Sequence, residues 1–173
     1  MTSRAKTPTR RAFLLFSLVS LGASSAPRAP ERESLFVIER STNKNVVLFE
    51  ARLRSGRLDP ERPVHAYWRL FAEDGRREEL TWLEKQFAYG YSVRHRNDGF
   101  VLELTALASR TLKLSERDGR YRATLSIAGR TAVLHRVWVQ AEGALFGPRV
   151  RWVDVFGTDV NTGKPVAERI SNE

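Results

Sequence analysis

Arg40, Ser41, Asn43 and Asn45 share one short polar tip, the densest group of hydrogen-bonding side chains in the chain. Arginine grips a carboxylate or phosphate through two parallel N–H donors. One reading therefore makes the tip a site for an anionic ligand. The other needs no ligand: Ser and Asn bond their own backbone in turns, and Asn tolerates positive φ. Arg40 is then a buried cation bonded to main-chain carbonyls, and Arg40→Ala should lower stability by about 2 kcal/mol or more. An aromatic group follows at Tyr67, Trp68, Trp82, Phe87, Tyr89 and Tyr91. Trp68, Tyr89 and Tyr91 join the tip residues as candidate ligand contacts, since a barrel of about eight strands can enclose a small ligand. Core packing and cross-strand pairing explain the same aromatics without a ligand.

Other chemistries find less support. His65, His95 and His135 fall on strand-like runs, and their spacing matches no zinc motif. The run Asp159-Val160-Asn161-Thr162-Gly163 has a faint likeness to a calcium loop but lacks its distal Glu, and a hairpin turn explains it better. Asp154, between Val153 and Val155, is expected to pair with Arg149, Arg151 or His135. There is no nucleophile elbow, P-loop, HExxH or dinucleotide fingerprint. No catalytic residue, metal or cofactor is therefore assigned. A pair of sugar-cleaving acids would leave no trace in such a pattern.

Composition narrows the setting. The chain has 173 residues, 29 Lys and Arg against 20 Asp and Glu, and no cysteine. Disulfide scaffolds, thiol catalysis, thiolate metal sites and a cysteine-linked lipid anchor are thereby excluded. Four of the cations lie in the first eleven residues; without them the balance is 25 against 20. The remaining basic residues are interspersed with acids rather than gathered on one face, which argues against nucleic acid as a partner.

Residues 1–25 read as a secretory signal peptide: a basic start ending in Arg10-Arg11, an apolar run from Phe13 to Ala23, then small residues. The apolar run is too short to span a bilayer, which takes about 20 residues. Thr9-Arg10-Arg11-Ala12-Phe13-Leu14 also resembles a twin-arginine export signal, although Leu15 stands where that pattern has Lys. The expected location is periplasmic or extracellular, with membrane contact only through the transient signal. Residues 26–34 are expected to be a flexible leader, and 35–173 a single β-rich domain.

The elements that must position these residues are mostly strands. Val47, Phe49, Ala51 and Leu53 alternate with charged Glu50 and Arg52, the mark of a half-buried strand. Val64–Phe71 alternates likewise. After Tyr91 the chain reads as a meander, punctuated at Asn97-Asp98-Gly99, Asp118-Gly119, Gly129-Arg130, Glu142-Gly143 and Asn161-Thr162-Gly163. One helix is expected over Arg77–Ala88, with Leu80, Leu83 and Phe87 on its inner face and Gly90 ending it. The fold class is mainly β: an antiparallel β-barrel or sandwich meander of about eight to ten strands with one packed α-helix.

Three segments carry a resemblance: Ile38–Val47, Pro63–Trp68 and Leu83–Gly90. With them the chain resembles the bacterial exported family catalogued as domain of unknown function 4833. The resemblance implies a single small domain and brings no catalytic residue with it. The function expected is a non-enzymatic exported binding or accessory domain, acting on a small molecule or on another envelope protein. The alternatives are a small envelope hydrolase with an acid/His site and a purely structural envelope partner.

Overall fold

Period-two alternation of apolar and polar residues decides the architecture. The computed structural model describes residues 31–96, 99–142 and 149–171. The expected signal peptide, most of the expected leader, and the turn residues Asn97, Asp98 and Gly143 lie outside the described residues, as does the side chain of Phe87. The strands are β1 (Arg32–Arg40), β2 (Asn43–Arg54), β3 (Arg57–Leu58), β4 (Val64–Arg69) and β5 (Arg77–Glu79). Helix α1 (Trp82–Phe87) precedes β6 (Tyr91–Arg96), β7 (Gly99–Leu104) and a 3-10 turn at Thr105–Leu107. Then come β8 (Thr111–Arg117), β9 (Arg120–Ile127), β10 (Arg130–Glu142), β11 (Arg149–Asp159) and β12 (Pro165–Ser171). The fold is mainly β, a single sheet curled into a half-barrel.

The curl originates at β10. Its first residues pair with β9 across a two-residue hairpin, Ala128-Gly129, in which both residues have positive φ (49° and 75°). That geometry matches the twist of the flanking strands. Past a register shift between Leu134 and Arg136, the same edge of β10 is taken over by β1, running parallel to it from Val37 to Arg40. Two strands thus share one edge of β10, while β11 lines its other edge throughout. The sheet must splay there, and it curls. This parallel pair departs from the all-antiparallel meander expected.

Other expectations also shift. Arg32–Ser34, expected in the leader, already belong to β1, because the twelve-residue β2 extends the ladder to Arg32↔Arg52. The expected helix is split. Its first residues form β5 and pair with Tyr67–Arg69 after the turn at Asp74-Gly75. Thr81 then starts α1 with a reciprocal capping box to Glu84. Leu80 is buried, but Leu83 is 59% exposed and Trp82 71%. Gly90 is required for space: a Cβ there would lie 2.0 Å from the carbonyl oxygen of Lys85.

Phe36 stacks on Phe49 with ring centroids 4.5 Å apart. Val47, Phe49, Ala51, Leu102, Leu112 and Leu114 retain no accessible surface (0%). A side chain bordering a water-sized void would retain some. These residues belong to one buried hydrophobic cluster.

The half-barrel does not close. Among the described residues β6 pairs only with β7, and the β4–β5 ladder spans Tyr67 to Arg69. Tyr91 spans the seam: its hydroxyl donates to the Val64 carbonyl at 3.1 Å, and its ring meets Phe49 edge-on. With a tyrosine side chain between them, the two edges are too far apart to bond to each other. The seam holds an open cleft of about 510 Å³.

Candidate functional site

Arg40 continues the inward row of β1 after Phe36 and Ile38, at the end of the half-barrel nearest the β1–β2 tip. Its guanidinium carbon lies 4.5 Å from the centre of the Tyr89 ring. Trp68, on the inward row of β4, meets the same ring edge-on at 5.0 Å. Its indole N–H donates to Glu84 Oε1 at 2.9 Å. Glu84 Oε2 accepts from the Thr81 N–H at 2.7 Å and from Thr81 Oγ1 at 2.8 Å. The end of β1, the middle of β4 and the α1 segment thus converge on one cluster, Arg40–Tyr89–Trp68–Glu84.

The electrostatics follow from burial. Tyr89 is 2% exposed, and burial pushes its phenol up to about 12, with the Arg40 charge opposing the rise. Burial disfavours the Glu84 carboxylate. The bonds from Thr81 and Trp68 and the nearby Arg40 charge outweigh it, and hold the carboxyl below its ordinary value.

Two atoms of this cluster stand apart. Arg40 Nε and the Tyr89 hydroxyl are buried with no hydrogen-bond partner among the described residues. Both are donors, and both belong to one stacked pair. Arg40 also forms one wall of an open depression of about 470 Å³, beside Lys44 and Trp138.

The other candidates from the sequence are occupied. Ser41 Oγ donates to the Ala141 carbonyl and accepts from the Ala141 N–H, both at 3.0 Å, which ties the tip to the end of β10. Asn43 Oδ1 accepts from the Asn45 N–H, and Asn45 Oδ1 from the Ala72 N–H. Tyr91 lies away from this cluster, at the seam. The structure therefore brings Arg40, Trp68 and Tyr89 together, sets Ser41, Asn43 and Asn45 in turn and tethering roles at the same end, and leaves Tyr91 apart. Sequence reasoning missed Thr81 and Glu84, although Thr-x-x-Glu ahead of an apolar run is a capping-box signal.

A second arginine–tyrosine stack lies on the opposite, outward face of β4. Arg77 sits 3.5 Å from the centre of the Tyr67 ring. Tyr67 donates to Glu50 Oε1 at 2.6 Å. Glu50 Oε2 is buried without a hydrogen bond, but Arg32 and Arg77 approach it at 3.9 Å. Arg77 Nη2 lies 2.5 Å from His65 Nδ1, and His65 Nε2 lies 2.9 Å from Glu79 Oε2. Guanidinium only donates, so Nδ1 carries the lone pair and Nε2 the proton. A His–carboxylate pair at the mouth of a cleft has the residue types of a hydrolytic dyad. A general base, however, must aim its lone pair at the proton it removes. Here the lone pair faces Arg77.

The remaining histidines are elsewhere: His95 edge-on to Phe100, and His135 bonded to Thr158 Oγ1. Among the described residues no three potential metal ligands gather. Asp154 pairs with Arg169 of β12, at 2.7 and 2.8 Å, and not with Arg149, Arg151 or His135. Its cross-strand neighbour in the β11–β12 ladder is Arg169, which decides the pairing. Asp159 Oδ1 accepts from the Asn161 and Thr162 N–H groups, closing the β11–β12 hairpin.

The chain matches no curated protein. It matches no solved structure either. One family model does match, over residues 36–169, which takes in β1 from Phe36, the whole Arg40–Tyr89–Trp68–Glu84 cluster and most of β12. The chain accordingly belongs to the family described as domain of unknown function DUF4833.

Proposed function

We propose that this chain is an exported, non-enzymatic binding or accessory domain that holds an anionic group, a carboxylate or phosphate, on Arg40 and the Tyr89 hydroxyl. The anion belongs to a small molecule or to another envelope protein. The carrying observation is the pair of buried donors, Arg40 Nε and Tyr89 Oη, left without an acceptor in an otherwise bonded cluster. A buried donor without a partner costs about 1–3 kcal/mol, and an anion would relieve both at once through charge-assisted bonds. Arg40 lines the adjoining depression, where Lys44 adds a second cation. The full burial of Val47, Phe49, Ala51, Leu102, Leu112 and Leu114 supports a packed core over an apolar ligand at those residues. The occupied lone pair of His65 argues against hydrolysis. Export is supported by the three-part pattern of residues 1–25.

The test is calorimetric titration of the purified protein with inorganic phosphate and with acetate, at low and at moderate salt. At least one should bind saturably and more weakly as salt rises. Arg40→Ala should abolish that binding and Tyr89→Phe weaken it, while Arg77→Ala leaves it intact. Absence of saturable binding, or equal binding by Arg40→Ala, overturns the reading. Native mass spectrometry of protein taken from its own envelope then separates a small ligand from a protein partner.

A further inference from the structure

The open seam carries an inference that does not rest on Arg40. The hydrogen-bond pattern fixes which way each backbone group points. The Thr105 N–H donates to the Gly90 carbonyl, so Gly90 faces β7. Backbone groups alternate along a strand. Ser92, Arg94 and Arg96 therefore also face β7, and Tyr91, Val93 and His95 turn their N–H and C=O groups outward. On the other side, the Arg52 N–H donates to the Pro63 carbonyl, so Pro63 faces β2. Val64 then points outward, beyond the end of the ladder to β5, with its carbonyl taken by the Tyr91 hydroxyl. Tyr91, Val93, His95 and Val64 all line the seam cleft. Two strand edges thus face one space, held apart by Tyr91.

The charge of that space has a sign. Arg52, Arg62 and Lys85 line it, and none of the three is ion-paired among the described residues. Of the acids there, Glu79 is engaged by His65 and Arg77, which leaves Glu61 against the three cations. A second copy of this chain would bring Arg96 of its own β6 against the same cations, and like charges across a strand pair repel, while its Arg94 is already paired with Glu103.

We infer that the outer edge of β6 receives an extended acidic segment of a partner protein as an added strand, seated in the seam between β6 and β4. Main-chain bonds to Tyr91, Val93 and His95 supply the pairing, as in strand addition at other sheet edges. Arg52, Arg62 and Lys85 select acidic over basic segments.

The probe is a synthetic eight-residue peptide of alternating valine and glutamate, with a valine–lysine peptide of equal length as control. Backbone amide exchange of the protein is followed by NMR at rising peptide concentration. The Val-Glu peptide should slow exchange at Tyr91, Val93 and His95 by about tenfold or more. The inward amides of Ser92 and Arg94 should change little, and the Val-Lys peptide should have no effect. Val93→Pro removes one outward donor at an edge position that tolerates proline. It should abolish protection at Tyr91 and His95 while the melting temperature holds. Arg62→Glu should weaken the effect, and Arg40→Ala should leave it unchanged, which separates this site from the anion site. Uniform protection, equal protection by both peptides, or protection that rises with protein concentration alone overturns the inference, the last by showing a second copy on the edge.

Discussion

The two arginine–tyrosine stacks on either face of β4 are built from the same pair of residue types and end in opposite states. On the outward face, the Tyr67 hydroxyl has Glu50, and Arg77 has His65, with Glu50 and Glu79 close by. On the inward face, the Tyr89 hydroxyl and Arg40 Nε have nothing among the described residues. The outward stack is also largely buried, Tyr67 being 6% exposed, and both its hydroxyl and its arginine have protein partners. The inward stack leaves both of its donors unpartnered among the described residues, whereas the one unbonded atom of the outward cluster, Glu50 Oε2, has two arginines 3.9 Å away.

That contrast is broken or sharpened first by Arg77→Ala. The substitution removes the donor to His65, the cation over Tyr67 and one of two charges beside the buried Glu50 oxygen. A hydrogen bond to a charged group contributes about 1.5–3 kcal/mol. Chemical denaturation should show a loss of about 2 kcal/mol. Arg40→Ala should cost less, about 0.5–1 kcal/mol, since the stack on Tyr89 is its main contact. That is below the loss expected when Arg40 was read as bonded to carbonyls. Equal losses for the two arginines would mean that the inward one is structural after all.

Next comes the α1 segment that carries Glu84 and Tyr89 into place. Thr81→Ala removes the N-cap and half of the capping box, and should cost about 1 kcal/mol. It should also loosen Glu84 from Trp68 and weaken anion binding at Arg40. A loss of stability with unchanged binding would separate the helix from the site.

Acid should act on the same carboxylate. Glu84, Asp154 and Glu168 all have folded values below the ordinary ones: Glu84 as described, Asp154 through its bonds from Arg169, and Glu168 through Arg110 and the Ala128 N–H. The unfolded chain then binds protons more readily than the folded one. Stability is fully present above the ordinary carboxylate values of 3.8 and 4.5 and is lost as pH falls through the lowered ones. Denaturation midpoints should therefore stay level from neutrality to about pH 5 and fall below it. Glu84→Gln should flatten part of that fall, and an unchanged profile would show that Glu84 contributes little to it.

How much of this was legible in advance depends on the range of the interaction. Strand alternation is local, so the row Val47–Phe49–Ala51 could be read directly, as could the Asp118-Gly119 turn; the turn expected at Gly129-Arg130 lies one residue earlier, at Ala128-Gly129, with Arg130 already paired to Ile127. The parallel pairing of β1 with β10 joins residues about a hundred positions apart, and no local pattern announces it. The helix was placed too early because Arg77–Glu79 has acids that suit a first turn. The open edge of β4 offered those residues a ladder, and tertiary pairing outweighed local preference. At the site, the residue types were visible but their satisfaction was not. Arg40 and Ser41 are neighbours in sequence, yet Ser41 bonds to β10 while Arg40 turns inward. Only the fold shows which of two adjacent polar residues has been used.

The smallest effect on stability gives the sharpest comparison. Tyr67→Phe deletes a hydroxyl that donates to Glu50 at 2.6 Å and leaves that carboxylate short of a donor, so it should cost about 1–1.5 kcal/mol. Tyr89→Phe deletes a hydroxyl that is buried and has no acceptor among the described residues. The ring stays under Arg40 and against Trp68, the cation–π contact survives, and an unpaired polar atom is removed from the interior. Its effect should lie within about 0.5 kcal/mol of zero or be slightly stabilising. Alkaline titration offers an independent check, because the variant should lack the phenol that ionises at about 12. If Tyr89→Phe instead costs as much as Tyr67→Phe, the hydroxyl has a partner in solution that stabilises the unliganded fold, and the two stacks are equivalent. If it is neutral for stability but lowers affinity for phosphate or acetate, the hydroxyl serves the ligand and not the fold, and the unsatisfied stack is the one that works.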